Sequence, residues 1–192
     1  MGRKTLICRE RILETALDML IREGYGAITV KTLASEIGCS TQPILWHFEN
    51  MAGFRRALYE YSIDYAKSQF SPWNGDLDDL LAETARGYIA IACRMPHLFR
   101  FVFWESGDDR KNSATVQKLQ LDNTAKIIEL VCREKGLTEQ QAAAFLENFE
   151  FYIHGIASYT ASGFVSYPEQ EIIAMANRAR DAFLTYGSEV SV

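Results

Sequence analysis

The residue types able to act as nucleophiles, bases or metal ligands are few and scattered. Cys8, Cys39, Cys93 and Cys132 stand far apart with no CxxC pair, and His47, His97 and His154 show no HExxH-like spacing. A zinc site needs clustered ligands, so no metal and no cofactor is expected. The thiols read as reduced and mostly packed. Cys93 or Cys132 with His97 or His154 would be the material of a thiol hydrolase. No catalytic signature accompanies those residues, and the expectation is that the chain is not an enzyme.

The informative geometry lies at 29–48, and its logic is steric. Ala34 is small where a second helix must pass close over a first, and Gly38 suits the left-handed backbone that ends a helix. Ile44, six residues on, plugs the crossing from the other side. Two short helices joined by a tight Gly38-Cys39-Ser40 turn make a helix-turn-helix.

The elements around this segment are helical nearly throughout. The 192 residues are 48% apolar and 23% charged, which is globular rather than disordered. The four prolines, Pro43, Pro72, Pro96 and Pro168, each fall where a helix could begin or end. The spacing predicts a first helix through Leu13, Ala16, Leu17 and Leu20, closed by Gly24. A second is capped by Thr29, a third by Ser40 with Pro43 in its first turn, and a fourth starts at Asn50 with Phe54, Leu58, Tyr61 and Tyr65 in register. A break at 71–76 precedes a fifth helix, stopped by Pro96. Leu98 to Trp104 reads as strand or short helix, and its helical neighbours favour the helix. A polar loop, 106–112, leads to a seventh helix reaching about Gly136. An eighth opens on the capping box Thr138 to Gln141 and runs to Gly163, and a ninth spans Pro168 to about Tyr186. The expected fold is all-α with about nine helices, divided into residues 1–50 and 51–192.

Net charge is −5. Residues 1–60 carry Arg3, Lys4, Arg9, Arg11, Arg22, Lys31, Arg55 and Arg56 against seven acids, leaving this part at +1 and the remainder at −6. The first third therefore lacks the acidity that would repel phosphates. No apolar run approaches the roughly 20 residues that cross a bilayer, and the opening residues mix charges into a helical pattern. A cytoplasmic protein with no membrane partner is expected.

Arg11-Ile12-Leu13, Ala16, Gly24-Tyr25, Thr29-Val30, Leu33-Ala34, Ile37-Gly38, Ser40 and His47-Phe48 together resemble the N-terminal domain of the tetracycline-repressor (TetR) family. The stretch CSTQPILWHFENM, Cys39 to Met51, is similar to one branch of it. Pro96-His97-Leu98-Phe99-Arg100 and His154-Gly155-Ile156-Ala157 are similar to elements of some members' ligand-binding domains. The resemblance implies a homodimeric transcriptional regulator, usually a repressor, released from a near-palindromic double-stranded DNA operator by a small molecule. Its third helix would lie in the major groove, with Thr41 and Gln42 at the end that meets base edges and Ser40 among the DNA-binding candidates beside them. Gln42 can present donor and acceptor together to adenine, and Pro43 can pack on a thymine methyl. Thr29, Lys31, Trp46, His47 and Asn50 are phosphate-contact candidates, and Arg3 with Lys4 would form an arm on the backbone or minor groove. Leu45 and Met51 depart from the tyrosine and lysine usual in the family, both of which commonly contact phosphate. The departure implies a shallower salt dependence or weak DNA binding. It motivates an alternative: a helix-turn-helix remnant that binds a ligand or protein and no DNA.

A member of this family normally keeps a ligand pocket, and Tyr88, Trp104, Phe149, Tyr152 and His154 are the aromatic residues expected to line it, their polar tips orienting a mostly apolar ligand. The last two helices are apolar on more than one face, which calls for a partner beyond their own core. A second copy about a two-fold axis would meet Ile153, Ala157, Thr160, Ile172, Met175, Ala179, Ala182, Phe183 and Tyr186.

Overall fold

Apolar residues at 12, 13, 16, 17, 19 and 20 give the first helix, α1 (Arg9–Glu23), a continuous buried face. Gly24 ends it at φ 84°, a backbone region that glycine enters without penalty. A single 3-10 turn, Tyr25–Ala27, leads to α2 (Val30–Ile37). The computed structural model describes residues 7–70, 76–105, 107, 109 and 113–189. Arg3 and Lys4 lie outside the described residues. The remaining helices are α3 (Gln42–Phe48), α4 (Met51–Ser68), α5 (Leu77–Arg94), α6 (Pro96–Phe103), α7 (Ala114–Lys135), α8 (Glu139–Ala161) and α9 (Glu169–Glu189). The fold is all-α, and no strand occurs among the described residues. Leu98 to Phe103 is helical, as its neighbours suggested. Of the expected loop 106–112 only Gly107 and Asp109 are described, and Asp109 is helical.

The chain divides into two compact units: Met1–Ala66 with His97–Asn112, and Lys67–Pro96 with Ser113–Val192. The first unit thus takes in nearly all of α4 and of α6 besides the helix-turn-helix. Its core is aromatic. Phe101 of α6 has no exposed surface and stacks on Tyr25 at 5.0 Å between ring centroids, with Tyr59 of α4 edge-on at 6.3 Å. Arg55 of α4 joins this cluster. Its guanidinium lies 4.4 Å from the Tyr25 ring centre and 4.9 Å from that of Phe101. Its Nε donates to the Asp109 carboxylate at 2.8 Å, and its Nη2 donates to the Glu105 carbonyl. A charge held between two rings and a carboxylate keeps partners for what water would otherwise satisfy. Along α4 the buried register is Phe54, Leu58, Tyr59, Ser62 and Ala66, while Tyr61 and Tyr65 are only half-buried. The apolar stripe runs one position off the expected one because Tyr59 turns toward Phe101.

The second unit is built on α5, α7, α8 and α9. Leu77, Leu81, Ile89, Val131, Phe145, Leu146, Phe149 and Ile172 form its core. The starts of α5 and α8 are both capped. The Asp76 carboxylate accepts the Asp79 N–H at 3.0 Å, and Thr138 and Gln141 make the reciprocal box opening α8. Among the described residues no helix is long and apolar enough to cross a membrane, and no group of three or more potential metal ligands occurs. Burial, with Glu169 adding to it, pushes the Cys93 thiol up, the opposite of what a nucleophilic cysteine needs.

Candidate nucleic-acid interface

The helix-turn-helix is fixed locally by caps. Thr29 Oγ1 accepts the Thr32 N–H at 3.1 Å, and Thr32 Oγ1 accepts the Thr29 N–H at 2.8 Å and donates to the Ala27 carbonyl at 2.8 Å. Gly38 closes α2 in the left-handed region, φ 78° and ψ 35°, and the Gly38 and Cys39 amides both donate to the Ala34 carbonyl. Leu33, Ala34, Ile44 and Phe48 are buried at the crossing. Arg22 of α1 reaches Glu36 of α2 at 2.9 Å as well as Asp18 and Glu23, and the hydrogen bond to Glu36 holds its guanidinium above the usual value.

The start of α3 differs from expectation by one residue. Thr41, not Ser40, occupies the capping position, and its side chain makes no capping hydrogen bond. Pro43 in the first turn needs no donor of its own there. With Ile44 and Phe48 turned inward, the outer face carries Gln42, Leu45 and Trp46, the latter two 44% and 73% exposed. Thr29, Lys31, Ser40 and Asn50 are exposed as well, while Thr41 and Pro43 are half-buried. The structure therefore leaves these polar candidates wholly or partly open to solvent.

Two of them already have structural work. The His47 ring bonds through Nε2 to the Ile7 carbonyl at 2.8 Å, tying the end of α3 to the residues before α1. Asn50 Oδ1 accepts the Gly53 N–H at 2.9 Å and so caps α4. Between them the chain reverses sharply. Glu49 adopts φ 64° and ψ −50°, and the Asn50 amide donates to the Phe48 carbonyl at 2.6 Å. That is a γ-turn of the strained hand, uncommon for a residue with a side chain.

Residues 12–58 match the family model described as bacterial regulatory proteins, tetR family. An HTH-type transcriptional regulator of Bacillus subtilis, YvkB, is 25% identical over 85% of this chain and 90% of its own length. The class C tetracycline repressor protein of Escherichia coli is 29% identical over 35% of this chain and 31% of its own. The family model thus covers the segment that carries the helix-turn-helix. The crystal structure of TetR from Acinetobacter baumannii AYE shares the fold, with a TM-score of 0.63 at 18% identity over 94% of this chain and 96% of that one. A putative TetR-family transcriptional regulator from a Rhodococcus species matches with a TM-score of 0.60 at 15% identity, over 92% of this chain and 98% of its own. With that helix-turn-helix and those relatives, the chain is a DNA-binding transcriptional regulator.

The remaining candidates are distributed as follows. In the second unit of the regulator, the Tyr88 hydroxyl and His154 Nδ1 are 2.7 Å apart, linking α5 to α8. Phe149 is a core residue, stacked on Phe145 at 5.8 Å, and Tyr152 is partly exposed with its ring edge-on to Phe183 at 6.2 Å. Trp104 belongs to the first unit, 6.3 Å from the Phe99 ring. Two open clefts, of about 390 Å³ beside Arg9, Arg56 and Tyr61 and about 380 Å³ beside Asp78, Lys135 and Arg180, are lined by none of these five.

The residues expected at a two-fold interface differ in burial. Ile153, Ala157 and Ile172 are buried within their own unit, and Thr160 is half-buried with its hydroxyl donating to the Ile156 carbonyl at 2.8 Å. Met175, Ala179 and Phe183 are half-buried, whereas Ala182 and Tyr186 are exposed. The free apolar stripe of α8 is instead Phe151 and Tyr159, continued by Phe164, whose ring lies 5.1 Å from that of Tyr159. Residues 151, 155 and 159 recur every four positions and share one face.

Proposed function

We propose that this chain is a homodimeric repressor working in the cytoplasm, bound to a near-palindromic operator and released by a small molecule. The carrying observation is α3, whose inner face is sealed by Ile44 and Phe48 while Gln42, Leu45 and Trp46 stand in solvent. Residues 1–50 read DNA, and residues 51–192 carry ligand binding and dimerisation. Thr41, Gln42 and Pro43 meet base edges. Thr29, Lys31, Ser40 and Asn50 approach phosphates, with Arg3 and Lys4 as the arm, and Trp46 and His47 complete the surface.

The test is selection of bound duplexes from random-sequence DNA, which should recover a near-palindrome. Gln42→Ala should then weaken binding to that duplex by about 1–3 kcal/mol, or roughly 5–150-fold, and relax preference at one position of each half-site. Titration by fluorescence anisotropy reads both. A uniform loss at all sequences, or none, is the opposite result.

Dimerisation places two copies of α3 on successive major-groove faces. The exposed stripe of α8, Phe151 with Tyr159 and the small Gly155 between them, supports a contact close enough for helix packing. Ala179, half-buried, and Ala182 and Tyr186, exposed on α9, are further candidates for that contact. Replacing Phe151 and Tyr159 together by glutamate should give a folded monomer in sedimentation velocity, where the parent chain runs as a dimer. An unchanged sedimentation coefficient counts against this stripe.

Ligand release is a population shift. A small molecule seated near Tyr88, Phe149, Tyr152 and His154 favours a conformation in which the two reading helices no longer fit their grooves. The Tyr88–His154 pair supports the reading, because it puts hydroxyl and imidazole chemistry at the margin of an apolar core, where orienting groups of ligand sites sit.

A further inference from the structure

We infer that Leu45 and Trp46 form an apolar reading surface that recognises the 5-methyl groups of thymine one or two base pairs beyond the base met by Gln42. The inference rests on the DNA-binding reading above and gives it a substrate class: half-sites in which thymine, not merely an A·T pair, is required.

Three observations carry it. First, α3 has seven residues, of which Ile44 and Phe48 are buried, and its solvent face is Gln42, Leu45, Trp46 and the following Glu49. Only Gln42 among them can pair with a base edge through both a donor and an acceptor, and none is cationic. Second, Leu45 and Trp46 are large apolar side chains left 44% and 73% exposed on a helix whose other face is fully used. Their position relative to Gln42, three and four residues on, puts them on the same side of the helix. Third, Trp46 is held in place. Its ring stands edge-on to His47 at 4.7 Å, 71° between planes, and the His47 ring is itself bonded to the Ile7 carbonyl at 2.8 Å. A pre-positioned plate loses little side-chain freedom on contact.

The chemistry of the groove then selects the partner. The thymine methyl is the apolar group displayed on the major-groove edges, where the other groups are hydrogen-bond donors and acceptors. Along the helix axis Leu45 and Trp46 lie about 4.5 and 6 Å from Gln42 at a rise of about 1.5 Å per residue. Base pairs repeat about every 3.4 Å, so the pair falls one to two steps away. Stacking the same side chains against deoxyribose would ask nothing of the base and would give no methyl dependence.

The experiment uses the full chain and the duplex recovered by selection. Each thymine of one half-site is replaced singly by deoxyuridine, which removes the methyl and leaves every hydrogen-bonding group in place. One or two positions should lose about fourfold in affinity each, equivalent to ~0.8 kcal/mol for a buried methyl-sized group. That loss should vanish in Leu45→Ala or Trp46→Ala, both exposed positions, while the effect of Gln42→Ala persists in each background. An operator indifferent to deoxyuridine overturns this inference and leaves the DNA-binding reading standing. Methyl dependence that survives intact in both alanine variants overturns it as well. Recovery of no preferred sequence overturns both.

Discussion

Replacing Phe101 by alanine should destabilise the unit that carries α3 by about 3–5 kcal/mol and lower its melting temperature by on the order of 10 °C. Phe101 is fully buried, and three groups converge on its ring: Tyr25 stacked at 5.0 Å, Tyr59 edge-on at 6.3 Å and the Arg55 guanidinium at 4.9 Å. Removal leaves a cavity walled by Tyr25 and Tyr59, which cannot both collapse onto it while remaining attached to the α1–α2 turn and to α4. Arg55 keeps its bond to Asp109 but loses one of its two aromatic faces. The site lies on α6, far in sequence from the helix-turn-helix, yet within the same compact unit. A loss of this size is a large share of the 5–15 kcal/mol that holds a typical domain. Far-UV circular dichroism melts measure it, with Leu45→Ala as an exposed control expected to stay within about 0.5 kcal/mol of the parent. A shift for Phe101→Ala no larger than that of the control would show that α6 is not part of the reading unit's core.

Thr29 shows how far local chemistry can be read from a sequence. A hydroxyl just ahead of an apolar helical stripe announces a cap, and the structure has that cap, as it has the left-handed Gly38 and the box at Thr138 and Gln141. Each depends on residues within a few positions of one another. The phase of α8 was not legible in the same way. Its apolar residues cover more than one face, so periodicity alone allows Ile153 and Ala157 to point either inward or outward. Tertiary packing decides, sending Leu146, Phe149, Ile153 and Ala157 inward and leaving Phe151 and Tyr159 outside. The bond from His47 to Ile7 spans forty positions and has no local signature. The positive φ at Glu49 is equally silent, because glutamate does not advertise a left-handed backbone as glycine or asparagine would. The signal available was in the next residue, the asparagine that caps α4, and in the glycine three residues beyond it. As for the site, the family resemblance pointed to Thr41, Gln42 and Pro43 at the start of α3, where Gln42 is exposed and the other two are half-buried. The apolar outer face formed by Leu45 and Trp46 follows from the burial of Ile44 and Phe48, which fixes the helix's rotation.

Gly53→Ala should separate stability from helix propensity at the α3–α4 corner. Alanine in a helix is ordinarily better than glycine by about 0.5–1 kcal/mol. Here the added Cβ would run into the Phe48 carbonyl oxygen, a backbone atom that no side-chain rotation can move. That same oxygen accepts the Asn50 amide at 2.6 Å across the turn at Glu49, so it is confined from both sides. Relief requires α3 to shift away from the first turn of α4, which would also pull the Asn50 cap off the Gly53 amide. Overpacking of this kind costs about 1–3 kcal/mol, enough to reverse the propensity gain. The operator should register the change more strongly than the melt, because a displacement of α3 misaligns Gln42, Leu45 and Trp46 together, and a base contact depends steeply on hydrogen-bond geometry. A loss of at least tenfold in affinity for the selected duplex is expected, alongside a lowered unfolding midpoint in urea. Gly26→Ala is the matched control, since a Cβ there meets nothing within 4 Å; it should leave both quantities within error or raise the midpoint slightly. Were Gly53→Ala to melt and bind like the parent, the close approach of α4 to the end of α3 would not be what sets the angle at which the regulator presents its reading face.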